Sequence, residues 1–221
     1  SIQHPKEAHD ANVNGTFNIL LAAKNHNKAK VVFASSSATY GDTDVLPTHE
    51  EVPQNPKSPY GLQKKIGEQY CKIFSEVYDV PTVCLRKFNV YGPKCDPGGA
   101  YALVIGKFIQ MRIEGKPMTI TGDGTQTRDA AHVSDVVEAY ILAMNTSDVR
   151  DGEVINIGSG ENRSINELAK MIGGPVEYIA SRHEPHDTLA DISKAKDLLG
   201  WNPNKKFSDG LEELKKEMGL N

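Results

Sequence analysis

Val31-Val32-Phe33-Ala34-Ser35-Ser36-Ser37 is a short apolar, β-branched run that stops in three hydroxyls. It is continuous rather than alternating, which predicts a strand buried on both faces, as in a parallel sheet covered by helices on each side. Upstream, Val13, Phe17, Leu20, Leu21 and Ala23 recur at helical spacing and give way to polar Asn25 to Lys30, predicting a helix over about residues 9–27. Downstream, residues 42–59 hold Pro47, Pro53, Pro56 and Pro59 and read as a surface connection. Tyr60 opens a second long helix running to about Tyr78. A further buried strand follows at Thr82 to Arg86, then a Gly/Pro loop from Asn89 to Gly99. Strands alternating with long helices form parallel βαβ units, in which ligands sit at the carboxyl ends of the strands. Ser36 and Asn89 both lie just past such ends.

Beyond residue 100 the elements shorten. The pattern predicts helices near 103–115, 135–144, 165–172, 193–199 and 207–218, and strands near 117–120, 129–133, 154–157 and 176–180. The expected fold class is therefore α/β: a doubly wound parallel sheet over residues 1–100, then a smaller α/β lobe over 101–221 with some elements returning to the main sheet.

Composition narrows the function. The chain has 221 residues, 38% of them hydrophobic and 24% charged, within the ordinary globular range. A formal charge of −4 and no long basic run argue against a nucleic-acid partner. No window approaches the length of a membrane span, so no membrane association is expected. The three cysteines, Cys71, Cys84 and Cys95, have neither metal-finger nor CxxC spacing, and a reducing cytoplasm is the simplest reading. His183, Glu184, His186 and Asp187 cluster in a loop interrupted by Pro185, where no helix face can align ligands. They read as a solvated loop, with no metal site.

Only Tyr60 among the eight tyrosines has a lysine four residues later. On a helix, Tyr60 and Lys64 share one face, so the ammonium sits beside the phenol and favours phenolate. Such a tyrosine can exchange a proton with a sugar hydroxyl near neutral pH. An ordinary surface pair would show the same spacing, and the surrounding residues decide between the two readings. Phe33-Ala34-Ser35-Ser36-Ser37-Ala38-Thr39-Tyr40-Gly41, Ser58-Pro59-Tyr60-Gly61-Leu62-Gln63-Lys64, Leu85-Arg86-Lys87-Phe88-Asn89-Val90-Tyr91-Gly92-Pro93 and Gly122-Asp123-Gly124-Thr125-Gln126-Thr127-Arg128-Asp129 resemble, in order and spacing, the extended short-chain dehydrogenase/reductase family. More narrowly they resemble its UDP-glucose and UDP-N-acetylglucosamine 4-epimerases.

The resemblance implies a Rossmann-like fold and NAD-dependent 4-epimerisation of a UDP-sugar through a 4-keto intermediate. It implies Ser36, Tyr60 and Lys64 as catalytic residues, and Ser35, Tyr60, Lys64 and Phe88 on the cofactor. Ser36 and Asn89 fall on substrate positions, Arg128 matches an arginine gripping the diphosphate, and Arg182 and Glu184 resemble a late pair around the nucleotide. Thr188, three residues before Asp191 in the Ala190-Asp191-Ile192-Ser193-Lys194-Ala195 stretch, stands where a bulky tyrosine can close the sugar pocket; a small residue implies room for an acetamido group. A homodimer through the helices near 9–27 and 60–78 is also implied. Related 4,6-dehydratases carry an Asp-Glu pair where this chain has Ser37 and Ala38, which disfavours dehydration. The alternatives to an epimerase, itself expected to be active only when completed, are a catalytically dead nucleotide-sugar binder or interaction remnant, or another nucleotide-sugar short-chain dehydrogenase/reductase such as a 4,6-dehydratase.

Three departures stand out. Lys87 replaces an aromatic residue, Ala130-Ala131 replaces a bulky pair behind Arg128, and the dinucleotide fingerprint Gly-x-Gly-x-x-Gly is missing. Gly122-Asp123-Gly124 and Gly158-Ser159-Gly160 read as turns. Roughly 80–90 residues of βαβ structure would supply that fingerprint, which suggests a truncated or rearranged gene product, or a chain whose front segment was removed. Weak or no NAD binding is the expected outcome, and calorimetry measures it; tight binding by the chain would overturn the expectation.

Overall fold

The computed structural model describes residues 1–96, 98, 104–181 and 185–220. Helix α1 (Pro5–His9) runs through a wider turn at Asp10–Asn14 into α2 (Gly15–Asn25). The helix begins earlier than the apolar spacing predicts because Pro5 sits in its first turn, where a missing N–H costs nothing. Strand β1 (Val31–Ser36) and α3 (Pro59–Tyr78) follow. Ser58 caps α3 by accepting from the Gly61 N–H at 3.1 Å, and Asp79 ends it in the left-handed conformation. Next come β2 (Thr82–Lys87), β3 (Asn89–Tyr91), α4 (Val104–Ile113), β4 (Met118–Thr121), β5 (Thr127–His132), α5 (Val133–Asn145) and β6 (Asp151–Ile157). The chain closes with β7 (Asn162–Ser164), α6 (Ile165–Ile172), β8 (Val176–Ile179), α7 (Ser193–Leu199) and α8 (Phe207–Met218).

Strands β1, β2 and β6 form a parallel sheet in that order. β3 and β7 flank β5, parallel and antiparallel respectively, and β4 pairs parallel with β8. The fold is α/β with parallel pairing as predicted, with two additions. Asn89–Tyr91 is a strand rather than loop, and Asn162–Ser164 is a strand the periodicity does not show. Three-residue strands carry too little pattern to be read locally; both exist because β5 offers them a partner.

The core beneath α5 joins Val83, Leu85 and Phe88 to Ile155, Ile157, Leu199 and Trp201. Trp201 is 1% exposed, and its indole N–H donates to the Asp135 carbonyl at 2.8 Å. On the opposite face, Phe33, Cys71, Phe74 and Cys84 lie between β1, β2 and the long helices. Gly67 allows α3 to rest on the Phe33 ring, since a Cβ there would overlap it. Among the described residues no helix is long and apolar enough to cross a membrane.

Candidate active site

Ser36 ends β1, and its hydroxyl accepts from the Ala38 N–H at 3.2 Å, opening a tight turn over Ser37–Thr39. The first turn of α3 lies directly on that turn: a Cβ on Gly61 would collide with the Ala38 carbonyl. Glycine beside Tyr60 is therefore what lets the helix start meet the strand end. Lys64 lies one turn on, its ammonium 5.6 Å from the Tyr60 ring centre and 5.1 Å from that of Phe33. Burial, and then the charge of Lys87, hold the Lys64 pKa below the ordinary lysine value. Lys87 is the register partner of Ser36 on the neighbouring strand, and burial lowers its pKa as well. The structure thus brings Ser36, Tyr60, Lys64 and Lys87 to the carboxyl ends of β1 and β2.

Ser35 and Phe88 are placed differently from a cofactor-facing wall. Ser35 is wholly buried and donates to Glu68; Phe88 is 4% exposed, packed in the core with its ring 6.4 Å from that of Tyr40. Alternation decides this: successive residues of a strand face opposite sides, so Ser35 points toward α3 when Ser36 does not.

Beneath the site lies a buried ionic clamp that the motifs did not single out. Arg86 donates to both Glu68 oxygens, at 2.8 Å through Nε and 2.7 Å through Nη2, and its guanidinium lies 4.6 Å from the Tyr40 ring centre. Gln54 donates to Glu68 Oε2 at 2.6 Å. Burial opposes the charge of Arg86, but the Glu68 carboxylate more than offsets it and holds the pKa above the ordinary arginine value. Tyr40 continues the network by donating to Asn156 Oδ1 at 2.8 Å, and burial raises its pKa. Glu68 lies one turn beyond Lys64, Ser35 precedes Ser36, and Arg86 precedes Lys87. One ion pair thereby fixes the three elements that carry the site. The available signal was an arginine inside an otherwise apolar strand, since a buried charge requires a partner.

A second cluster surrounds Arg128. Its Nη1 donates to the carbonyls of Thr127 at 2.8 Å and His186 at 3.0 Å, and its side chain lines a cavity of about 220 Å³ with Val104, Phe108, Thr119, Gln126 and Ile179. Asn89 Nδ2 donates to the Asp129 carbonyl at 2.7 Å, and the Thr188 hydroxyl accepts from the Asp129 N–H at 3.1 Å. Asn89, Arg128 and Thr188 are thus gathered along β5. Arg182 and Glu184 lie outside the described residues, as does His183; His186 pairs with Asp187 at 2.9 Å. The two alanines behind Arg128 are both core, and Ala130 also lines a cavity of about 360 Å³ with Tyr91, His132 and Phe207.

Both Gly-x-Gly pairs are structural turns. Asp129 fills the 158–160 turn: its carboxylate accepts from the Ser159 N–H at 2.6 Å, the Ser159 hydroxyl at 2.7 Å, and the Gly160 N–H at 3.2 Å. The 122–124 turn is fixed to α6, with Asn166 donating to the Asp123 carbonyl at 2.9 Å. The Ser159 and Gly160 N–H groups are thus taken by Asp129 rather than open to a pyrophosphate, and the Gly122 N–H donates to the Ile179 carbonyl at 2.9 Å.

The fold recurs in known proteins. The chain is 39% identical over 222 residues to a putative UDP-glucose 4-epimerase of Methanocaldococcus jannaschii, covering 97% of this chain and 71% of that protein. It superposes on the UDP-N-acetylglucosamine 4-epimerase of Methanobrevibacter ruminantium, solved with UDP-N-acetylmuramic acid, with a TM-score of 0.90 at 36% identity, over 95% of this chain and 69% of that one. The UDP-glucose 4-epimerase of Thermotoga maritima, solved with UDP-glucose, gives a TM-score of 0.92 at 34% identity, over 99% and 72%. The chain therefore spans 69% to 72% of the length of these three relatives. Residues 1–158 match the NAD dependent epimerase/dehydratase family, and the chain belongs to that family.

Proposed function

We propose that this chain carries the catalytic and sugar-binding part of an NAD-dependent UDP-sugar 4-epimerase. The observation that carries the reading is the meeting of strand end and helix start, where the Ala38 carbonyl abuts Gly61 and the Lys64 ammonium lies 5.6 Å from the Tyr60 ring. In this reading Tyr60 takes the proton of the sugar 4-hydroxyl as the carbon becomes a ketone, and returns a proton when the inverted alcohol forms. Ser36 holds the 4-oxygen through its hydroxyl. Lys64 favours the phenolate by its charge, and its ammonium is placed to hold the nicotinamide ribose. NAD supplies the reversible two-electron chemistry at the sugar carbon. The residues of this chain fit the nicotinamide end of that cofactor, whereas the 158–160 turn, filled by the Asp129 carboxylate, gives the pyrophosphate no cradle. Any contact from Ser35 or Phe88 to the cofactor runs through backbone, because both side chains are committed to the interior.

Arg128 takes the substrate diphosphate, for which a planar fork of donors is suited. The adjoining cavity of about 220 Å³ takes the nucleoside end, and Asn89 adds a polar contact nearby. Arg182 and Glu184 are assigned to the same nucleotide from the sequence alone. Dehydration is disfavoured, since Ser37 and Ala38 supply no acid beside Ser36. The three cysteines are free thiols, which supports a cytoplasmic setting. Phe17, Ile19, Leu62, Ile73 and Val77 leave apolar surface on α2 and α3, which supports a homodimer through these helices.

Incubation with NAD and a UDP-sugar, followed by chromatographic separation of the 4-epimers, tests the reading. Because weak NAD binding is expected, the assay is run at high NAD concentration; interconversion is expected there, and its absence with every UDP-hexose tried favours a binding or interaction role. Thr188 sets a further expectation. UDP-GlcNAc and UDP-GalNAc should both be accepted, and Thr188→Tyr should cut their kcat/KM by roughly 10–200-fold, the usual scale for steric discrimination in a pocket, while sparing UDP-glucose. Turnover confined to UDP-glucose and UDP-galactose in the unaltered chain would count against this assignment.

A further inference from the structure

Lys87 is a charge that the chemistry above does not use. It stands in register with Ser36 on the adjacent parallel strand, so both side chains leave the same face of the sheet at its carboxyl edge. Val83 and Leu85, four and two residues earlier on that face, are buried in the core beneath α5. Lys87 continues the row, and its ammonium reaches to 5.8 Å from the ring centre of Tyr140 on α5.

Lys87 and Lys64 are both half-buried. Among the described residues neither has a carboxylate within ion-pairing distance, although thirteen other pairs satisfy that criterion. Two ammonium groups withdrawn from water without counter-charge are costly, and the cost falls if a neighbouring group can become an anion. The elements around them limit the choice. Helix α3 contributes Lys64 and Tyr60, α5 contributes Tyr140, β1 contributes the neutral Ser36 hydroxyl, and β6 presents apolar Ile157 beside Lys87. Burial pushes the Tyr140 phenol up to about 12, so it stays neutral through the working range. The Cys84 thiol, held well above the usual thiol range by its hydrogen bond with Cys71 and by burial, also stays neutral. Among the described residues Tyr60 is the remaining phenol at the site, and its charge is felt by Tyr140, just as Lys87's is felt by Lys64.

We propose that Lys87 is a second electrostatic positioning residue, acting with Lys64 to favour the Tyr60 phenolate from the strand side of the site. The inference rests on Tyr60 being the proton-transferring group, and it explains why an aromatic position of the resembling family can hold a lysine here. Removing a nearby cation makes a phenolate harder to form, so loss of Lys87 raises the Tyr60 pKa.

The test is a pH titration of the chain labelled with 13C at tyrosine Cζ, followed by NMR, with Tyr60→Phe identifying the resonance. Lys87→Met is expected to raise the Tyr60 midpoint by about half to one pH unit, the size of a partly screened charge interaction at such a range. Lys87→Arg, which keeps the charge, is expected to restore it. Lys87→Gln serves in place of methionine if that variant is not folded by circular dichroism. An unmoved midpoint in the neutral variant overturns the inference, as does an equal rise in the arginine variant. A Tyr60 midpoint at the ordinary phenol value that still rises on loss of Lys87 upholds the inference and counts instead against Tyr60 as a base near neutral pH.

Discussion

Tyr60→Phe is expected to lower epimerase turnover by about 10²–10⁴-fold, the range general acid–base groups contribute, with little change in thermal stability. Phenylalanine keeps the ring that the Lys64 ammonium faces at 5.6 Å and removes only the oxygen that carries the proton. Substrate affinity should change little, because the diphosphate contacts are assigned to Arg128 on β5, remote in sequence from α3. The informative comparison is therefore kcat against KM: a fall in kcat with steady KM marks a group needed in the transition state. A retained kcat would remove Tyr60 from the chemistry. Lys64→Met should also lower kcat, and should move the activity limb that depends on phenolate toward higher pH, since the cation that favours ionisation is gone.

Arg86→Met is expected to produce the largest loss of stability, about 3–5 kcal/mol, because it strands the Glu68 carboxylate in the interior. Glu68 and Arg86 side chains are 5% and 4% exposed, and Ser35 and Gln54 both donate to the same carboxylate. For a chain of this length such a loss lowers the thermal midpoint by roughly 10 °C. The contrast is the exposed Lys6–Asp10 pair at 2.7 Å, where water screens both charges and removal should leave the thermal midpoint little changed. Glu68→Met combined with Arg86→Met should recover part of the stability by removing both charges. It should not recover turnover, since the ion pair no longer fixes the ends of β1 and β2 against α3. Chemical denaturation of the single and double variants measures the first effect, and the epimerase assay the second. Equal stability of Arg86→Met and the unaltered chain would show that the ion pair contributes nothing net.

The main elements were legible because each has a local cause. The β1 run is apolar from Val31 to Ala34, α3 has Ser58 and Pro59 at its start, and Tyr60 and Lys64 are placed by helical periodicity alone. Asn89–Tyr91 and Asn162–Ser164 were not legible as strands: three residues carry no period, and their hydrogen-bond partners on β5 are distant in sequence. Ser35 and Phe88 lie within the motifs that identify the family, yet their side chains serve the interior. A motif records which residues are required without recording which way they point.

The sequence by itself determined the alternation of strand and helix, the Tyr60–Lys64 pairing and the order of motifs that marks the family, because these rest on spacing along one chain. Only the tertiary structure decided that Glu68 and Arg86 clamp the strand ends to α3, that Asp129 closes the 158–160 turn, and that Lys87 shares the site with Lys64. Each of those contacts joins residues far apart in sequence, and a side chain's partner across such a distance is set by sheet register and burial rather than by any neighbour along the chain.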